Sequence, residues 1–115
     1  MRLTDRFEDE FHLNDRERGD AYFLADRVQI VDEDPHSVSA LVDGSGGMRY
    51  YVEIDFTDIQ RALVSASCEC PRFADGILCK HLWATIRSLE HHHGFSSLPG
   101  DEPLLVLSCD AEHSM

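Results

Sequence analysis

Ser67 to His81 reads SCECPRFADGILCKH, which puts three of the chain's four cysteines and one histidine within a single short stretch. The pattern is Cys68-x-Cys70, eight intervening residues, then Cys79-x-His81. Zinc takes four ligands tetrahedrally, and three thiolates with one imidazole make a closed structural site. On a regular strand Cys68 and Cys70 would point the same way, about 7 Å apart. Two sulfurs on one zinc sit at roughly 3.8 Å. The chain therefore has to bend at Glu69-Cys70, and Pro71, with no N–H to lose, is placed to enforce the bend. Residues two apart on an ideal helix point about 200° apart. Cys79 and His81 thus converge if Cys79 precedes a helix and His81 occupies its first turn, where the positive helix end favours a thiolate. Asp75-Gly76 supplies the chain reversal between the pairs. A redox pair of Cys68 with Cys79 and simple coincidence are the competing readings, and neither requires His81.

Working outward, the helix after the cluster is expected from about Cys79 to Glu90. Leu82, Ile86 and Leu89 give i, i+4, i+7 spacing, Trp83 and Ala84 widen the stripe, and Gly94 fits as the stop. Upstream the period is two. Val28 and Ile30, then Val38, Ala40 and Val42, then Tyr50, Val52, Ile54 and Phe56 each share a face. Asp32-Glu33-Asp34-Pro35 and Gly44-Ser45-Gly46-Gly47 provide the turns, so these stretches predict an antiparallel meander. A fourth extended piece, Leu63–Ser67, leads into Cys68. Residues 3 to about 25 read as helical, with Thr4 or Asp5 as cap. Asn14, Asp15 and Arg18 interrupt the apolar stripe, and a break is expected at Gly19. From Ser96 the chain carries Pro99, Gly100 and Pro103 and is expected to be a loose tail over 96–115, with Leu104–Leu107 either an edge strand or unpaired.

The fold class is therefore α+β: an N-terminal helix, a small antiparallel meander, then a bent strand carrying the first cysteine pair and a helix. At 115 residues the chain is one domain. It spans 1–95, with a helical and meander part over 1–62 and the metal-binding part over 63–92. A domain this small gains from a metal staple. The net charge of -12, from 22 acidic and 10 basic side chains, repels phosphate and anionic lipid at long range. The N-terminus MRLTDRFEDEF has no basic region followed by an apolar run, so it is not a secretory signal. No apolar run approaches a membrane span. A cytoplasmic setting, where thiols stay reduced, is expected.

The motif Cys68-x-Cys70…Cys79-Lys80-His81 resembles the SWIM zinc finger, whose pattern is CxC, a variable gap, then CxH. CECP…LCKHLWA looks like the version N-terminal to the motor in bacterial Swi/Snf-type helicase-like ATPases. Arg18-Gly19-Asp20-Ala21-Tyr22-Phe23, Arg27-Val28, Val42-x-Gly44-Ser45 and Tyr51-Val52-Glu53-Ile54 echo the stretch before that family's finger. The resemblance covers about residues 15–90. It implies a zinc-bound hairpin and helix, with Cys68, Cys70, Cys79 and His81 as zinc ligands. It also implies DNA-binding or protein-interaction roles. No Gly-Lys-Ser/Thr phosphate loop is present, so ATP-driven functions do not carry over.

Other residues have plainer readings. His91-His92-His93 reads as a solvated helix end facing the dipole rather than a second metal site. Cys109 and His113 fall in the tail. Trp83 reads as core rather than a stacking platform for a base. Arg72, Lys80 and Arg87 are the candidate contacts for a phosphate or partner, the plainer role being charge balance with the thiolates. No nucleophile–base pair and no paired carboxylates point to an enzyme. The first functional expectation is an interaction module docking a protein, of which a helicase-like ATPase is one example. The alternative is a direct DNA- or RNA-binding module using a local basic patch, which the net charge disfavours.

Overall fold

Alternating apolar residues and two tight turns build the sheet. The computed structural model describes residues 3–92 and 102–108. Strands β1 (Val28–Glu33), β2 (Ser37–Asp43), β3 (Arg49–Asp55) and β4 (Leu63–Cys68) lie side by side in chain order, each antiparallel to the last. Val38, Ala40 and Val42 of β2 and Val52 and Ile54 of β3 are buried, and the residues between them face the other way. Ala40 pairs with Val52 and Val38 with Ile54; a slip of one residue would turn this whole apolar set to water. The β1–β2 turn is tied by the Asp34 carboxylate, which accepts the backbone N–H groups of His36 and Ser37 at 2.8 Å each. At the next turn Gly46 and Gly47 adopt φ of 68° and 79°, which a side chain would resist.

A fifth strand decides for the edge-strand reading of the Leu104–Leu107 run, and the tail over 96–115 is therefore not loose at 105–108. β5 (Leu105–Ser108) pairs parallel with β4, from Leu63↔Leu105 to Ala66↔Ser108. Four aliphatic residues are too short a run to declare a strand; what fixes this one is packing at the far end of the chain. Leu104 is buried, and its N–H donates to the Arg6 carbonyl at 2.8 Å. The Val106 N–H donates to Glu10 Oε1 at 3.1 Å, on the side away from β4. A parallel neighbour requires a crossover, and the helical segment after β4 provides it.

The helices are α1 (Leu3–Phe7), α2 (Leu13–Leu24), the single turn α3 (Pro71–Ala74) and α4 (Lys80–His92). The N-terminal helical region does break, but at Phe11-His12 and not at Gly19. Phe11 and His12 are extended, and the Phe11 side chain is buried. Gly19 lies inside an unbroken helix because α2 presses on α4 there. A Cβ at Gly19 would meet Trp83 Cδ1 at 2.6 Å and the Lys80 carbonyl oxygen at 2.9 Å.

The layers follow from these contacts. One face of α4 lies across β1, β2, β3 and β4, and α2 packs on another. As the middle layer, α4 is buried well beyond its predicted stripe. Leu82, Trp83, Ala84, Ile86 and Leu89 are buried as expected, and so are Thr85 and Ser88. Gly94 lies outside the described residues. No helix among the described residues is long and apolar enough to cross a membrane.

Candidate metal centre

Each ligand pair straddles the end of a regular element. Cys68 is the last residue of β4, held in the sheet opposite Val52. Cys70 is extended (φ -78°, ψ 157°), as a residue before proline must be. Pro71 then opens α3 from the first helical position, where its missing N–H costs nothing. The hairpin that carries Cys68 is thus β3–β4, and the link between the ligand pairs is a helical turn. Gly76, at φ 86°, reverses the chain after it. Cys79 stands immediately before α4, and His81 lies in the first turn of that helix.

These elements bring Cys68, Cys70, Cys79 and His81 together. One donor atom from each lies within 4.8 Å of all the others, and all four residues are buried. Cys68 Sγ is 3.8 Å from His81 Nδ1. The three cysteines are free thiols, so no disulfide joins Cys68 to Cys79. His81 is 3 % exposed, and its Nε2 has no hydrogen-bond partner. A buried imidazole with only sulfur neighbours for its polar atoms is costly unless a further group satisfies it.

The thiols carry the same conflict. Cys70 is pulled far down, because the Cys68 and Cys79 thiols both donate to its sulfur. Cys68 is pushed far up, first by its contact with Cys70 and then by Cys79 and burial. Cys79 is drawn down by Cys68, but Cys70 and burial outweigh this and push it up to about 12. Only one of the three ionises readily while they share protons. A divalent ion removes the conflict by replacing the protons. The backbone is already arranged for thiolates: amides of Cys70, Phe73 and Leu82 favour charge on Cys68, Cys70 and Cys79 respectively. The donor set therefore fits a zinc ion held by all four residues, and such an ion would supply a cross-link with no open coordination position.

A family model described as SWIM zinc finger matches residues 27–90, more than half of the chain. The chain belongs to the SWIM zinc-finger family. No curated protein and no solved structure matches it. The matched span leaves out α2, yet that helix braces the SWIM finger. Asp15, with its side chain 3 % exposed, takes Arg72 in a two-pronged ion pair at 2.7 and 2.8 Å. Asp20 accepts Trp83 Nε1–H at 2.8 Å and also binds Arg87. The Tyr22 ring meets His81 edge-on at 5.5 Å, and Tyr50 lies against the same imidazole at 4.6 Å.

The basic candidates therefore do not form one open patch. Arg72 and Lys80 line a cavity of about 230 Å³ beside the SWIM ligands, with Tyr22 and Tyr50 as its aromatic walls. Arg72 is already held by Asp15. Lys80 sits 5.6 Å from the centre of the Tyr22 ring and has no carboxylate partner among the described residues. Arg87 belongs to the α2 contact, over the Phe23 ring at 4.8 Å. Trp83 is core, its ring edge-on to Phe11 at 5.1 Å. His91 packs against Phe23 at 5.5 Å, while His93, Cys109 and His113 lie outside the described residues.

Asp15, Asp20, Tyr22 and Tyr50 are the residues that sequence reasoning missed as parts of the site. Asp20 and Tyr22 fell within the quoted RGDAYF stretch, which was a usable signal. Asp15 looked like an interruption of an apolar face, when it is the buried anchor of that face.

Proposed function

We propose that the chain is a zinc-stapled interaction module that docks a basic protein partner. The observation that carries this reading is the ligand set. Four buried protein donors close the zinc site, so the ion serves as scaffold and offers no position for a substrate or an activated water. That favours a binding role over an enzymatic one. The acidic chain, at net charge -12, favours a positively charged protein over a phosphate backbone. The likeness of CECP…LCKHLWA to fingers beside bacterial helicase-like ATPases supports a partner in nucleic-acid metabolism, such as one of those ATPases, in the cytoplasm.

The second reading, direct DNA or RNA binding through Arg72, Lys80 and Arg87, is weakened by the ion pairs. Two of the three cations already satisfy Asp15 and Asp20. The zinc-loaded full chain, titrated against labelled duplex DNA, single-stranded DNA and RNA from about 50 to 200 mM salt, tests the choice. No saturable binding is expected at either salt. Binding that falls steeply with ionic strength would establish the nucleic-acid reading instead.

A further inference from the structure

The sheet has two unlike faces. The inner face lies under α4, and no described helix covers the outer one. The pairing fixes which outer residues stand in a row. Ser39, Glu53 and Ser67 form one row across β2, β3 and β4. Ser37, Asp55, Ser65 and Leu107 form the next, extending onto β5. Four short serine side chains leave these rows low, and a shallow trough of about 170 Å³ runs along them. Taller side chains bound it. Leu41 and Tyr51 pair on one side, with Tyr51 37 % exposed; on the other stand Leu105 and Leu107, 49 % and 44 % exposed.

Acidic charge predominates on this face among the described residues. Glu53 and Asp55 stand in the trough, and neither has a cationic partner among the described residues. Their described contacts are with neutral donors: the Tyr51 hydroxyl to Glu53 at 3.2 Å and the Thr57 N–H to Asp55 at 2.8 Å. The one basic side chain on the described strands is Arg49, which Asp43 holds at 2.9 Å. The other described cations lie off the strands: Arg6, Arg16, Arg18, Arg72, Lys80 and Arg87 on helices, Arg27 and Arg61 in connections. An ion is not the natural occupant. Glu53 and Asp55 are neighbours on one strand face, about 7 Å apart, and among the described residues only the Cys68–His81 group gathers donors as a metal requires. A second copy of the same face would repel itself.

We infer that the outer face of the sheet is the docking surface for a basic protein segment. Its arginine or lysine side chains reach Glu53 and Asp55 from the trough, and its apolar side chains rest on Tyr51 and Leu107. This deepens the interaction-module reading and rests on it, since it names the surface that module uses. Mixed apolar and charged contact of this kind gives both affinity and register, because the charges exclude wrong orientations while the apolar rim is desolvated.

The test uses the zinc-loaded, isotope-labelled full chain and a synthetic peptide of arginine and leucine as the probe, followed by amide chemical shifts. Shifts are expected at Ser39, Tyr51, Glu53, Asp55, Ser65 and Ser67. The double substitution Glu53→Gln with Asp55→Asn should weaken the peptide about tenfold, the scale of two partly screened contacts. The control Glu17→Gln with Asp26→Asn, which removes the same charge from the helical side, should change affinity by less than about twofold. Equal losses in both pairs would mean diffuse attraction and overturn the assignment. Shifts on α2 and α4 would also overturn it, while leaving the interaction module standing. Absence of peptide binding, joined to salt-dependent nucleic-acid binding, would overturn both.

Discussion

At the residue scale the ligands and their anchors behave differently under substitution. Cys79 has no exposed surface and belongs to the apolar core as well as the metal centre. Cys79→Ser replaces a thiolate by a weak neutral donor and shrinks a packed side chain. Zinc content should drop below one ion per chain by elemental analysis, and the far-ultraviolet helical signal should weaken; undiminished zinc would refute the ligand assignment. Asp15→Asn is subtler. It keeps the volume but leaves Arg72 without its anion, and Arg72 is exposed enough for water to take over part of the role. The cost should be about 1–3 kcal/mol in denaturant unfolding, with the zinc stoichiometry retained. Much of this scale was legible beforehand, because ligand identity depends on residue type and spacing. Asp15 was not, since a buried carboxylate and a solvated one look alike until the partner 57 positions away is known.

At the element scale Gly19 separates two lines of reasoning with opposite signs. Helix propensity alone predicts that Gly19→Ala stabilises, by roughly 1 kcal/mol. The packing of α2 on α4 predicts the reverse, because the new methyl would collide with both the Trp83 ring and the rigid Lys80 carbonyl. We expect packing to win by about 1–3 kcal/mol, seen as a lower denaturation midpoint; a raised midpoint would show that the helices can separate freely. The same position shows why the break was misplaced. Glycine is ambiguous in sequence between a helix stop and a close approach, and only the opposing Trp83 decides. The meander was easier, since its register is written in alternating residues that need no knowledge of a distant partner. β5 needed two such partners, Arg6 and Glu10, both from the other end of the chain. The β1–β2 turn gives a pH test. The His36 N–H, with Ser37, holds the Asp34 carboxyl below its ordinary value. A depressed folded pKa adds stability above the unfolded value, near 3.9, and that stability disappears as pH falls through the folded value. Asp34→Ala should therefore flatten the acid limb of a stability–pH curve below about pH 4; an unchanged limb would deny the turn any such role.

At the scale of the whole molecule the metal, the helical layer and the sheet share one core. Cys68, Cys70 and Cys79 lie in the same apolar cluster as Val52, Ile54, Leu82 and Ile86. α4 starts at the metal and runs under four strands. Removing zinc with a chelator should consequently disperse more than residues 65–92: amide signals from β1, β2 and β3 should collapse together with those of α4. Persistence of a folded meander would show that the finger is a separable unit. Acidification should reach the same end by competition. In the zinc-bound state the three thiols stay deprotonated, whereas in the unfolded chain they regain their ordinary pKa near 8.5. Their effective pKa is thus lower in the folded state, so their contribution to stability is present above about 8.5 and is lost as pH falls below it. With free zinc held constant, up to three protons distinguish the two states, a limiting slope of about 4 kcal/mol per pH unit. Thermal midpoints should fall steadily from about pH 8 towards pH 5. A flat profile over that range would mean that no thiolate cluster holds the molecule together.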